Sequence, residues 1–202
     1  STPQKKVEPI PAEYPGVTPY LAVNDAAAAI EFYKNGFGFT PVAYSGPETG
    51  VRDKTSYLLQ QGDMRLLVTS ALVPDHPISR FVITHGDGVA DVAMRVKDAE
   101  WTFKEAVKRG AKGIQPPKIL KDENGTIKGA AIGAYGDTVH TFIERDNYHG
   151  TFAPGYKPIS EKAESVGLRR LDHVVANVEE GKMDLWVEFY GKVFGFTQLI
   201  SF

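Results

Sequence analysis

The chain has 202 residues, 42% of them hydrophobic, and a formal net charge of -2. That is enough apolar material for one ordinary domain and the start of another, and a balanced charge with no basic run argues against a phosphate-tracking nucleic-acid binder. The absence of cysteine removes disulfides, thiolate metal sites and a cysteine nucleophile from consideration.

Residues 1–16, STPQKKVEPIPAEYPG, hold three prolines ahead of Pro15 and no apolar run, the pattern of an extended lead-in and not of a signal peptide. Val17 to Val23 reads as a strand leading into Asn24-Asp25-Ala26, where a short acceptor side chain can cap the amides that a first helical turn leaves free. Ala26, Ile30, Tyr33 and Phe37 then form one helical stripe, with Gly36 expected to end the helix. Strand-like runs follow at Pro41 to Tyr44, Ser56 to Gln60 and Arg65 to Thr69, separated by GPETG and by the turn Gln61-Gly62-Asp63.

The same order then recurs. Val92 to Val96 leads into Asp98 as a cap and into a helix striped by Ala99, Phe103, Ala106 and Val107, which Gly110 ends. Strands are expected at Gly113 to Leu120, Ile127 to Ile132 and Val139 to Glu144, with a turn at Asp122 to Gly125. Two strand-helix-strand-strand-strand modules pairing their sheets give an α+β fold, a curved half-barrel sheet with external helices and an enclosed cavity. Residues 17–150 are thus expected to form a first domain, and residues 151–167, rich in Pro, Gly, Lys and Glu, a linker.

A third start follows in residues 168–202. Leu171 to Val178 reads as a strand, and Met183, Val187, Tyr190 and Phe194 repeat the first helix stripe. Ile30 to Thr40, IEFYKNGFGFT, returns as Val187 to Thr197, VEFYGKVFGFT, about 157 residues later. Repetition at this scale means copies of one supersecondary plan, each of which needs a full set of strands to bury a core. The second domain is therefore expected to be truncated, its strand and helix unpartnered.

The five histidines divide by setting. His76 in PDHP reads as a structural turn residue, His149 as exposed, and His85 as a possible cap for the glycine path that follows it. Alternation places His140, Phe142 and Glu144 on one face of a strand, a donor pair too small for a metal site, so packing or hydrogen bonding is the expected role of His140. His173 lies inside a β-branched strand at the start of the repeated module, with Asp172 expected on the opposite face, and is placed to point into a cavity. A metal-ligand role and a structural role are both compatible with that position. No phosphate-cradling loop, nucleophile elbow or paired carboxylates stand out, so no catalytic residue is assigned.

Four segments together resemble the 4-hydroxyphenylpyruvate dioxygenase family: YSGPETGVRDKTSYLLQQG, THGDGVADVAM, YGDTVHTFIERDNYHGTFAPGY and LDHVVANVEEGKMDLWVEFYGKVFGF. The resemblance covers residues 30–202; the first strand, VTPYLAVNDAAAA, is more similar to a generic module of the glyoxalase and bleomycin-resistance type. It implies a glyoxalase-like, dihydroxybiphenyl dioxygenase-like fold with an inactive N-terminal domain. The C-terminal domain of the family holds a non-haem Fe(II) between two histidines and a glutamate. The implied reaction takes an aromatic α-keto acid and O2 to homogentisate and CO2 in tyrosine catabolism. A homo-oligomer in the cytoplasm, the default compartment, is expected, and the charge balance and the lack of an apolar run of membrane-spanning length argue against nucleic-acid and membrane partners. On this resemblance His173 matches the first iron ligand and Val175 lines the substrate pocket, while Glu144 is the vestige of the iron-binding glutamate, with Tyr20 opposite it. The remaining ligands have no counterpart here, so the 202-residue chain is expected to be inactive by itself. The resemblance also admits 4-hydroxymandelate synthase, and a catalytically silent binding or dimerisation module fits the same residues.

Overall fold

In the computed structural model, which describes residues 17–199, the chain forms nine strands and four α-helices. The expected lead-in of residues 1–16 lies outside the described residues. The first module comprises β1 (Thr18–Ala22), α1 (Ala26–Phe37), β2 (Thr40–Ser45), β3 (Lys54–Gln61) and β4 (Met64–Ala71), followed by α2 (Pro77–His85). The second comprises β5 (Gly88–Arg95), α3 (Ala99–Lys108), β6 (Gly113–Asp122), β7 (Gly125–Gly133) and β8 (Val139–Glu144). A two-residue β9 (Lys157–Pro158) and α4 (Met183–Phe194) complete the order.

Local chemistry sets the helix ends. The Asp25 carboxylate accepts from the amides of Ala27 and Ala28 at 2.9 and 3.1 Å, and Asp98 accepts from the Trp101 amide at 2.9 Å. Helix α1 runs one turn position past Gly36 and stops at Gly38, whose φ of 71° is left-handed. This corrects the expected stop, and it also explains the repeat. Gly195 ends α4 in the same way with φ 74°, the Phe39 amide donates to Tyr33 O at 3.1 Å, and the Phe196 amide donates to Tyr190 O at 3.3 Å. FGFT is a helix-stop motif used twice.

The strands form one curved mixed sheet in the order β6-β7-β8-β5-β1-β4-β3-β2-β9. Within each module the first strand pairs in parallel with the last, β1 with β4 and β5 with β8, and the modules join through antiparallel β1 and β5. Helices cover the convex face. One core lies under α1 and contains Val23, Ile30, Phe39, Leu59 and Val68. The other lies under α3 and contains Ala99, Ala106, Ile132, Phe142 and Val193. At one edge of the sheet, β6 is almost wholly exposed and carries Pro116 and Pro117, where its register with β7 shifts.

Two departures from the sequence expectations matter. Residues 77–85 form a helix, started by Pro77 and capped by His76, whose Nδ1 accepts from the Ile78 amide at 3.1 Å. Leu171 to Val178 forms no strand. A strand is stabilised by its neighbours, and this segment pairs with none among the described residues. Residues 151–170 are nonetheless tied down: β9 pairs with β2, and Gln61 Oε1 accepts from the Leu168 amide and Ser165 Oγ, both at 2.9 Å. Among the described residues, no helix is long and apolar enough to cross a membrane.

Candidate functional site

The third-module segment builds a cleft against the second module. α4 docks beside α3 through Phe189, Val193 and Phe194, with Val193 buried, while Met183 and Val187 of the expected stripe remain exposed. The contact face is therefore rotated toward Phe189 and Val193. Phe39 is 2% exposed in its module, whereas Phe196, at the same motif position, is 57% exposed because no sheet covers it.

Tyr190 reaches from α4 to the buried imidazole of His140. Nδ1 of His140 lies 3.1 Å from the Val92 carbonyl, an acceptor only, so it carries the proton and donates. Nε2 then accepts from the Tyr190 hydroxyl at 2.8 Å. Burial depresses the pKa of His140 and raises that of Tyr190, so both are neutral at pH 7. The expected hydrogen-bonded role of His140 is what the fold uses.

The resulting cleft has a volume of about 510 Å3, with His140, Tyr190 and Phe196 on one side and Arg170 to Val174 on the other. His173 borders it, largely exposed. Because the segment is not a paired strand, Asp172 is not held on the opposite face: its Oδ2 accepts from His173 Nδ1 at 2.6 Å. That bond selects the tautomer whose Nε2 lone pair is available to a metal. Val175 is 75% exposed and does not border the cleft. Among the described residues, no three histidine, aspartate or glutamate side chains converge on one point.

Glu144 shares a face with His140 and Phe142 as alternation predicted, but that face is not the one Tyr20 lines. With His140 and Phe142 it belongs to the convex, helix-covered face, where Oε2 accepts from the Ala99 amide at 3.0 Å and lies 3.4 Å from Lys128 Nζ. It caps α3 together with Asp98. The concave face of β8 is presented by Thr141, opposite Asp91 of β5 and Tyr20 of β1. Asp91 Oδ1 accepts from the Thr141 amide at 3.0 Å and Oδ2 from its hydroxyl at 2.6 Å. Burial nevertheless outweighs these bonds and pushes the Asp91 carboxyl up to about 6. An aspartate inside the apolar run GVADVAM is a signal that sequence reading passed over by starting the strand at Val92.

A model of the hydroxyphenylpyruvate dioxygenase N-terminal domain matches residues 18–153. The chain belongs to the 4-hydroxyphenylpyruvate dioxygenase family. It is 40% identical over 190 residues to the 4-hydroxyphenylpyruvate dioxygenase of Yarrowia lipolytica, covering 89% of this chain and 48% of that protein. The enzyme of the same name from Dictyostelium discoideum is 40% identical over 187 residues, covering 89% and 51%. Among solved structures, a mutant of 4-hydroxymandelate synthase from Streptomyces coelicolor superposes with a TM-score of 0.75 at 31% identity, covering 88% of this chain and 51% of that one. Methylmalonyl-CoA epimerase from Mycobacterium tuberculosis, at 18% identity and a TM-score of 0.53 over 67% of this chain and 91% of its own, shares the fold alone. The chain spans about half the length of the curated family members it matches.

Proposed function

We propose that this chain is the N-terminal portion of a non-haem Fe(II) 4-hydroxyphenylpyruvate dioxygenase, which converts 4-hydroxyphenylpyruvate and O2 to homogentisate and CO2. The observation that carries the reading is identity of about 40% to enzymes of that name over 89% of this chain. Residues 17–150 form the N-terminal domain in this reading, 151–167 the linker, and 168–202 the opening of the catalytic domain. The whole protein is a cytoplasmic homo-oligomer.

Within that protein His173 supplies one ligand to the iron. The other donors come from parts of the longer relatives that this chain does not span. An Fe(II) bound there would offer the open positions at which a keto acid and O2 react. For Val175 to line the substrate pocket on the same side as His173, residues 171–178 must pair as a strand, and their β-branched run Val174, Val175, Val178 suits that state.

Oxygen uptake with 4-hydroxyphenylpyruvate and Fe(II), measured on this chain and on a protein of the relatives' full length, tests the reading. No turnover is expected from residues 1–202, and turnover is expected from the longer protein, abolished there by His173→Ala. Turnover by the short chain would overturn the ligand assignment. The close structural likeness to 4-hydroxymandelate synthase favours a second reading with the same substrate, which 4-hydroxymandelate in place of homogentisate as product would establish.

A further inference from the structure

The concave face of the nine-stranded sheet encloses a second cavity, of about 440 Å3, that neither the catalytic reading nor the family assignment uses. His173 and α4 lie outside it. Its volume is in the range that holds a small organic ligand. Strands β1, β4, β5 and β8 form its floor, and Phe152, Pro154 and Tyr156, in the segment after β8, fold over it.

Its charge is lopsided. Arg65, Arg95 and Arg145 all line the cavity, against a single carboxylate, Asp91, which Thr141 already engages. Arg95 is paired with Asp146 at 2.5 Å. Arg65 and Arg145 have no carboxylate within ion-pair distance among the described residues. Arg145 is held in place by the overlying segment: its guanidinium donates to the Phe152 carbonyl and sits 5.2 Å from the centre of the Phe152 ring. Loss of water and the neighbouring Arg65 and Arg95 charges both act against its protonated form. Like charges gathered in a partly desolvated recess lower their energy by taking up an anion, and the planar fork of arginine matches a carboxylate.

Lys54 adds a further cation and Thr18, Tyr20 and Ser45 a few neutral polar groups, while Leu67, Ala93 and Ile143 give the strands an apolar stretch of wall. We propose that this cavity is a binding site for a small monocarboxylate with a flat apolar body, the carboxylate bridging Arg65 and Arg145 and the body lying on Leu67, Ala93 and Ile143 beneath Phe152. Neither His173 nor Val175 lines it, and its occupancy does not depend on the proposed function.

The test is an amide NMR titration of the 202-residue chain with phenylacetate, using phenylacetamide and acetate as controls that keep the body or the charge alone. Saturable shifts at Arg65, Ala93 and Thr141 are expected with phenylacetate only. Arg65→Gln should weaken binding about tenfold or more, the loss of a charge-assisted bond, while Ala93→Leu should block it from the opposite wall; His173→Ala should leave it unchanged. Arg65 is a partly exposed strand residue, so its replacement leaves both cores intact. No saturable shift at millimolar phenylacetate, equal response to phenylacetamide or acetate, or binding that survives both Arg65→Gln and Ala93→Leu would overturn the proposal.

Discussion

Asp91 is a buried carboxylate whose ionisation opposes folding. Its carboxyl titrates at about 6 in the folded chain, against an ordinary 3.8, because burial disfavours the charge more than Thr141 favours it. An acid with a raised folded pKa costs stability as it ionises: the unfolded chain loses the proton first, so stability falls as pH rises from 3.8 to 6 and stays lowered above that. Asp91→Asn removes the ionisation, and Thr141 Oγ1 can accept from the new amide. Urea unfolding of the variant should show no loss across that window, and at pH 7 it should exceed the parent by on the order of 2–3 kcal/mol. A parent protein whose stability relative to Asp91→Asn did not fall between pH 4 and 6 would contradict the burial. This residue was open to discovery in the sequence, as a carboxylate in an apolar run. Glu144 was harder, since alternation fixed its companions His140 and Phe142 but cannot say which face of a sheet the helices cover.

Helix α4 is anchored by apolar contact and by two polar links, Tyr190 to His140 and Arg109 Nη1 to the Val193 carbonyl. Tyr190→Phe keeps the ring but leaves His140 Nε2 buried without its donor, a cost of about 1–2 kcal/mol. Hydrogen exchange should show the amides of α4 losing protection while those of β1 and β4 keep theirs. The pH dependence runs opposite to that of Asp91. Burial depresses the pKa of His140, so its contribution is present above the ordinary imidazole value of about 6.5 and is lost as pH falls below it. Loosening of α4 as pH falls below 6.5, followed by the same exchange measurement, is therefore expected. Most elements were legible from caps and periodicity, Asp25, Asp98 and the two FGFT stops above all. Helix α2 was missed because Pro74-Asp75-His76-Pro77 reads as a turn, when the second proline occupies a first helical position and the histidine acts as the cap. The strand expected at Leu171 to Val178 failed for the opposite reason: its composition suits a strand, but pairing is a property of the neighbour it lacks.

The two modules share one continuous sheet through β1 and β5, with Thr18 opposite Ala93 and Ala22 opposite Gly88. Opening one module would strip hydrogen bonds from the other, so unfolding should be a single cooperative event. Both tryptophans, Trp101 and Trp186, lie in α3 and α4, on the second module. Tryptophan fluorescence thus reports on that module, and far-UV circular dichroism on the whole chain. The two urea transitions should coincide, and an earlier fluorescence transition would mean that the modules melt separately. The doubled module plan was visible in the repeat itself. What the repeat could not show is that α4, lacking strands of its own, shelters beside the helix of the preceding module.

The bare β6 border has a consequence for behaviour at high concentration. An open strand ordinarily templates another chain, yet Pro116 and Pro117 offer no amide hydrogens there, and Lys118 and Lys121 set charge alongside them. Growth by lateral stacking of strands is thereby disfavoured on that flank, and copies of the chain that meet there do so more readily through side-chain surfaces than through backbone pairing.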